Sequence, residues 1–157
     1  MHIDFQINGL ERLQFLSYFN MSESDLVDAG AYLFQSDECP CYPCRVSLVD
    51  AEIGEQVLAL SYNHLNVSGP YNASGPIFIR TNATECRPEV NEVPEMLRHR
   101  QLSVRGYNDA HLMIEADAAE GRQLEKVLTR QFSNQDVNLI QIHNAGPGCF
   151  NCSVIRA

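Results

Sequence analysis

A single lysine, Lys126, occurs in the 157 residues, and the formal net charge at pH 7 is −9. Nucleic-acid binding needs a basic footprint that displaces counterions from phosphates. Ten scattered arginines set against 20 acidic side chains do not supply one, so DNA and RNA are not expected partners. Long apolar runs are also missing. Val57-Leu58-Ala59-Leu60 is typical of the longest. It is far short of the roughly 20 residues that span a bilayer, and no membrane partner is expected. The opening Met1-His2-Ile3-Asp4-Phe5 has neither the basic nor the apolar region of a signal peptide. The expected compartment is therefore the cytoplasm, where thiols stay reduced. Walker, Gly-x-Ser-x-Gly, His-Glu-x-x-His and dinucleotide fingerprints are absent too, so no motif names a reaction and no cofactor is expected.

What is present suffices for one folded domain over residues 1–157: 45% of the side chains are hydrophobic and there is no low-complexity tract. Ser22-Glu23-Ser24-Asp25 has the pattern of a helix N-terminus, with Leu26 and Val27 on its buried side and Gly30 as its stop. Residues 31–35 read as a short strand and 36–43 as an irregular loop. The alternation of Cys44, Val46 and Leu48 predicts a strand over 44–49. Further strands are expected over 56–64 and 77–80, separated by the turn-rich Gly69-Pro70-Tyr71-Asn72-Ala73-Ser74-Gly75-Pro76. A short helix should follow Pro94, then a hairpin of 101–107 with 112–116. Residues 120–132 carry Leu124, Val127, Leu128 and Phe132 at helical spacing. Residues 137–144 are apolar on both faces, as in a central strand, and 149–155 should pair back with them. About seven strands and three helices, without strict alternation, imply an α+β domain on a mostly antiparallel or mixed sheet.

Chemistry concentrates in two clusters. Cys39-Pro40-Cys41-Tyr42-Pro43-Cys44-Arg45 and the stretch from His143-Asn144 to Cys149-Phe150-Asn151-Cys152 hold five of the six cysteines and one of the five histidines. Zinc is the first reading such clusters invite. Cys149 and Cys152, however, are three apart and face opposite ways in a regular strand. Only a bulge at Asn151 would turn them together, and no metal is expected. Cys41-x-x-Cys44 has redox spacing but lacks the following helix that activates such thiols. The third reading is a small-molecule site at strand ends beside glycine and proline turns. Arg45 and Arg80 suit a carboxylate or phosphate, with Tyr62 and Asn144 as further ligand contacts. His143 or His64 could move a proton, and Cys149 or Cys44 could act as nucleophile. Cys149, at the start of a strand after Gly-Pro-Gly, is expected to be the most reactive thiol, activated across the turn by His143 as imidazolium. Each residue also has a plainer role: His64 as a hydrogen-bonded core group, Arg45 and Arg80 as partners of Asp50 or Glu55, Asn144 as a turn residue.

Tyr42-Pro43-Cys44-Arg45-Val46-Ser47-Leu48, with Asp50-Ala51 and Gly54-Glu55, resembles the opening block of domain-of-unknown-function family 1203, whose members are mainly bacterial. Tyr62 with His64, Pro70-Tyr71 and Ser74-Gly75-Pro76-Ile77-Phe78-Ile79-Arg80 are similar to its second block. His143-Asn144-Ala145 with Gly148-Cys149-Phe150 is similar to its third. The resemblance covers nearly the whole chain and implies no established activity. It keeps Cys44 and Cys149 inside the pattern and leaves Cys39, Cys41, Cys86 and Cys152 outside it. The expectation is a cytoplasmic protein with a pocket for a small, anionic molecule, whose residues are compatible with a thiol- and histidine-dependent enzyme without requiring one. The alternatives are a non-catalytic ligand sensor or interaction module, or a structural zinc protein. A homodimer is compatible with each.

Overall fold

The computed structural model describes residues 2–157. Short alternating segments and turns assemble two antiparallel sheets rather than one. Phe5 and Ile7 point inward and Asn8 outward along β1 (Phe5–Asn8), an edge strand that the sequence reading missed inside its lead-in. A 3-10 turn and α1 (Leu16–Phe19) lead to α2 (Glu23–Asp28). Ser22 caps α2 as expected, its Oγ accepting the Asp25 N–H at 3.1 Å, and Gly30 leaves it at φ +73°. Of the two apolar residues expected to face inward, Leu26 is buried but Val27 is 57% exposed. A six-residue helix on the surface has room for one buried position, not two.

β2 (Tyr32–Gln35), β3 (Gln56–Leu65) and β4 (Ala73–Arg80) form the three-stranded sheet in that order. β4 begins four residues before its expected start, inside the Gly/Pro-rich stretch. It pairs only with β3, and an edge position tolerates Pro76. After α3 (Glu95–Arg98) come β5 (Gln101–Tyr107) and β6 (Met113–Glu120), the latter longer than its pattern suggested. A 3-10 turn then runs into α4 (Leu124–Ser133), followed by β7 (Leu139–Asn144) and β8 (Phe150–Arg156). The five-stranded sheet has the order β1-β8-β7-β5-β6. β7 is central, as its two-sided apolar pattern implied. The domain is α+β, with eight strands and four α-helices among the described residues.

One expected strand is not one. Residues 44–49 make a tight turn: Leu48 N–H bonds Cys44 O at 3.0 Å and Leu48 sits at φ +52°. Cys44 makes only an isolated bridge to Phe78. The alternation has a different cause. Cys44 and Val46 enter the core under the three-stranded sheet, while Leu48 enters the core between the five-stranded sheet and α4. The segment is a plug between two cores. Its backbone is tied to three neighbours, with Arg45 N–H on Phe78 O, Leu10 N–H on Arg45 O and Cys86 N–H on Val46 O.

Leu102, Val104, Ile140, Ile142, Cys152 and Val154 put one face of the five-stranded sheet against Leu124, Leu128 and Phe132 of α4. Alternation sends Ser103, Arg105, Gln141 and His143 to the other face. There the end of β3 meets the sheet, through His64 on Gln141.

Candidate functional site

Two strand irregularities converge where the sheets meet. The β3–β4 register shifts between Asn63 and Leu65, which leaves His64 as the extra residue. The β7–β8 register shifts between the Ile142–Cys152 and His143–Phe150 pairs, which leaves Asn151 as the extra residue. A bulged residue is freed from its ladder and can be aimed elsewhere. His64 is aimed at β7: its ring Nδ1–H donates to Gln141 Oε1 at 2.8 Å, and Gln141 Nε2 donates to His64 O at 2.7 Å. The ring stacks on Phe150 at 5.3 Å with an interplanar angle of 5°, and meets the His143 ring edge-on at 4.8 Å. Tyr62, two residues earlier, is half-buried between Phe15 and Phe150, and burial raises its phenol pKa.

His143 is fully buried. Gly148 O can only accept, so ring Nδ1 carries the proton in their 3.0 Å bond. Nε2 then presents a lone pair and has no partner among the described residues. Burial, then the charge of Arg105, and more weakly His64 and Arg45, pushes the His143 pKa down to about 3, against the pull of the Gly148 bond. Burial and Arg105 also lower His64, against the Gln141 bond. His143 is therefore neutral near pH 7. The expected imidazolium beside Cys149 does not form, because the ring is buried among cations.

The cation beside Cys149 is Arg45, which is fully buried. Its Nε donates to Phe150 O at 2.7 Å and its Nη1 to Pro43 O. Its guanidinium lies 5.6 Å from the Phe78 ring centroid. Nη2 has no hydrogen-bond partner among the described residues. The partly exposed Cys149 accepts from Asn144 Nδ2 at 3.2 Å, and Asn144 Oδ1 accepts from the buried Asn151 Nδ2 at 2.7 Å. The bulge that a zinc site would have required is thus present at Asn151. What it delivers is an amide onto Asn144. Among the described residues, no group of three or more His, Cys, Asp or Glu side chains is placed to hold a metal ion.

Two of the expected residues sit apart from this arrangement. Cys44 is buried, and its sulfur accepts the backbone N–H groups of Ser47 and Arg80 at 3.4 and 3.3 Å. Arg80 turns its guanidinium to Glu55, at 2.8 Å, and to Ser47 Oγ, at 3.2 Å. Three contributors were missed. Arg105 has no acidic partner among the described residues, and its Nε donates to Ser103 Oγ at 3.0 Å. Gln141 clamps His64, and Asn151 orients Asn144. Gln141 was legible as a polar break in an apolar central strand. Arg105 looked like one solvated charge on a hairpin. The five principal cavities, of about 330 to 460 Å³, lie elsewhere among the described residues, and none is lined by Arg45, His64, Arg80, His143 or Cys149.

The His143 environment has a consequence for stability. An unfolded histidine titrates near 6.5, whereas this one titrates at about 3 in the fold. Between those values the unfolded chain binds more protons, so stability falls as pH is lowered through that window. The loss due to this ring should reach roughly 2 kcal/mol at pH 5. Urea denaturation at pH 7 and pH 5 checks it: wild type should lose that much more than His143→Gln. Equal acid losses in the two proteins would show that the ring is not buried neutral.

No helix is long and apolar enough to cross a membrane among the described residues. No curated protein and no solved structure matches the chain. Residues 41–156, which include the Cys44–Arg45 plug, both bulges and the turn carrying Cys149, match the family described as Protein of unknown function (DUF1203), and the chain belongs to that family.

Proposed function

We propose that this is a bacterial, cytoplasmic protein that binds a small anionic molecule at the seam between its two sheets. One observation carries the reading. Arg45, Arg105, His64 and His143 gather at the seam, and no carboxylate pairs with any of them among the described residues. In a chain of net charge −9, a carboxylate-free cationic centre favours an anion from solution. Arg45 and His143 are buried, so they supply field rather than contact. The partly exposed Arg105 and His64, with Ser103, supply the contacting atoms. None of the five cavities described above is lined by Ser103, Arg105 or His64, which favours inorganic phosphate or a short carboxylic acid over a large ligand. Six free cysteines support a reducing compartment. Nucleic acid and membrane are not proposed as partners, and a homodimer is compatible with an open seam.

A second reading, a non-catalytic sensor or interaction module, is favoured by how many family-block residues are used internally. Arg80 holds Glu55, Cys44 holds two amides, and Asp50 holds His99 and Arg100. The thiol- and histidine-dependent enzyme rests on Cys149 with His64. His143, at about 3, is too weak a base near neutrality.

Calorimetric titration with inorganic phosphate and with succinate tests anion binding. At least one should bind saturably with a Kd of about 1 mM or tighter. Arg105→Gln should weaken that binding by about tenfold, the size of one charge-assisted contact. No heat from either anion, or unchanged affinity in Arg105→Gln, would remove the reading.

A further inference from the structure

We propose that Cys149 is a hydroperoxide-reactive thiol whose one-oxygen product, a sulfenate, is held on the Arg45 guanidinium. This goes beyond anion binding at the seam and stands on different atoms. The sulfur is partly exposed and already accepts one hydrogen bond, from Asn144 Nδ2 at 3.2 Å. Asn144 is not free to turn, because the buried Asn151 donates to its Oδ1 at 2.7 Å. Arg45 is anchored one residue away, through Nε on Phe150 O, so its head is fixed against the same turn. Its remaining nitrogen, Nη2, is buried and has no hydrogen-bond partner among the described residues. A buried guanidinium N–H without an acceptor is costly. Beside it stands a sulfur that can gain an acceptor oxygen.

The polar surroundings of the sulfur select the reaction. The sulfur accepts from Asn144 Nδ2 and stands beside a guanidinium that no carboxylate neutralises among the described residues, surroundings that favour an added acceptor oxygen. Arg45 and Asn151 are both fully buried. The thiolate electron pair attacks one peroxide oxygen, an S–O bond forms and the O–O bond breaks. The leaving hydroxide or alkoxide takes the proton of the new S–OH group, which gives water or an alcohol and leaves the sulfenate. The sulfur loses two electrons and the hydroperoxide gains them. The new oxygen accepts from Arg45 Nη2. All six cysteines are free, and Cys44 and Cys152, the nearest in the fold to Arg45, are buried. The sulfenate therefore persists until an external thiol reduces it, releasing water.

The test treats the full chain with one equivalent of hydrogen peroxide near neutral pH, in the presence of dimedone. Adduct formation is read by peptide mass spectrometry. Cys149 should label at least about tenfold faster than Cys39, Cys41 or Cys86. In a parallel sample, dithiothreitol added after peroxide and before dimedone should abolish the label. Asn144→Ala, checked for an unchanged circular dichroism spectrum and melt, should slow labelling of Cys149 by about tenfold. Earlier labelling of Cys39 or Cys41, or an Asn144→Ala rate equal to wild type, would overturn the proposal. The second result would mean that the two amides are turned the other way, with the thiol donating to Asn144.

Discussion

Replacing Arg45 by methionine is expected to lower stability by about 3 kcal/mol. The volume is nearly kept, so the cost is polar. Phe150 O and Pro43 O each lose their guanidinium donor inside the protein. A buried carbonyl left without a donor costs roughly 1–3 kcal/mol. Against this, methionine removes a charge whose own burial is unfavourable. Burial is the largest influence on Arg45 and pulls its pKa down, while the thiols Cys149 and Cys44 pull it up. The bonds outweigh that relief because they also join distant parts of the chain: Pro43 before the plug and Phe150 at the start of β8. Urea denaturation at pH 7 measures the change. Unchanged or increased stability would mean that the buried charge costs as much as its bonds return.

Gly121→Ala should cost about 3 kcal/mol or more. A Cβ at this position would stand 1.8 Å from Leu97 O, 2.7 Å from Leu97 C and 2.8 Å from Arg98 Cα. These are backbone atoms of α3, so no rotamer relieves the clash. Either α3 or the turn before α4 must move. The Gly121 N–H bond to Arg100 O, 2.8 Å long, lies between them and would break. Met96 and Leu97 of α3 and Leu124 of α4 are packed in the same core, so the displacement would spread. Gly69→Ala is the control, since a Cβ there meets nothing within 4 Å; it should change stability by less than about 0.5 kcal/mol. Equal effects at the two positions would show that the close approach of α3 is not real.

The sequence reading succeeded where one physical cause produces one pattern. β7 is apolar at successive positions because it is covered on both faces, and no other short element needs that. Ser22 and Gly30 mark α2 because a cap and a left-handed exit each suit few residue types. It failed where one pattern has two causes. Alternation over 44–49 arises equally from a strand and from a turn that feeds two cores. Deciding between them required knowing that a second sheet exists. The site divided in the same way. His64, His143, Asn144 and Cys149 stand at ladder ends and turns, which strand parity could locate, whereas Arg45 lies on the turn that parity took for a strand. Parity gave Arg80 a face, and its pairing with Glu55, 25 residues back in the chain, is the plainer role that the sequence also offered. Arg105 and Asn151 become meaningful only through the β3 end lying over β7 and the bulge in β8, and neither contact leaves a mark in the local sequence.

Side-chain NMR of the histidine rings during a phosphate titration at pH 7 tests the cationic seam most directly. The chain has five histidines, and His2, His99 and His111 serve as internal controls. An anion held at the seam should shift the His64 and His143 ring signals along one shared saturation curve, with the other three unmoved. His143 should keep the neutral Nδ1–H form throughout. Five histidines shifting together, or His64 and His143 unmoved at saturating phosphate, would contradict an anion site between the sheets.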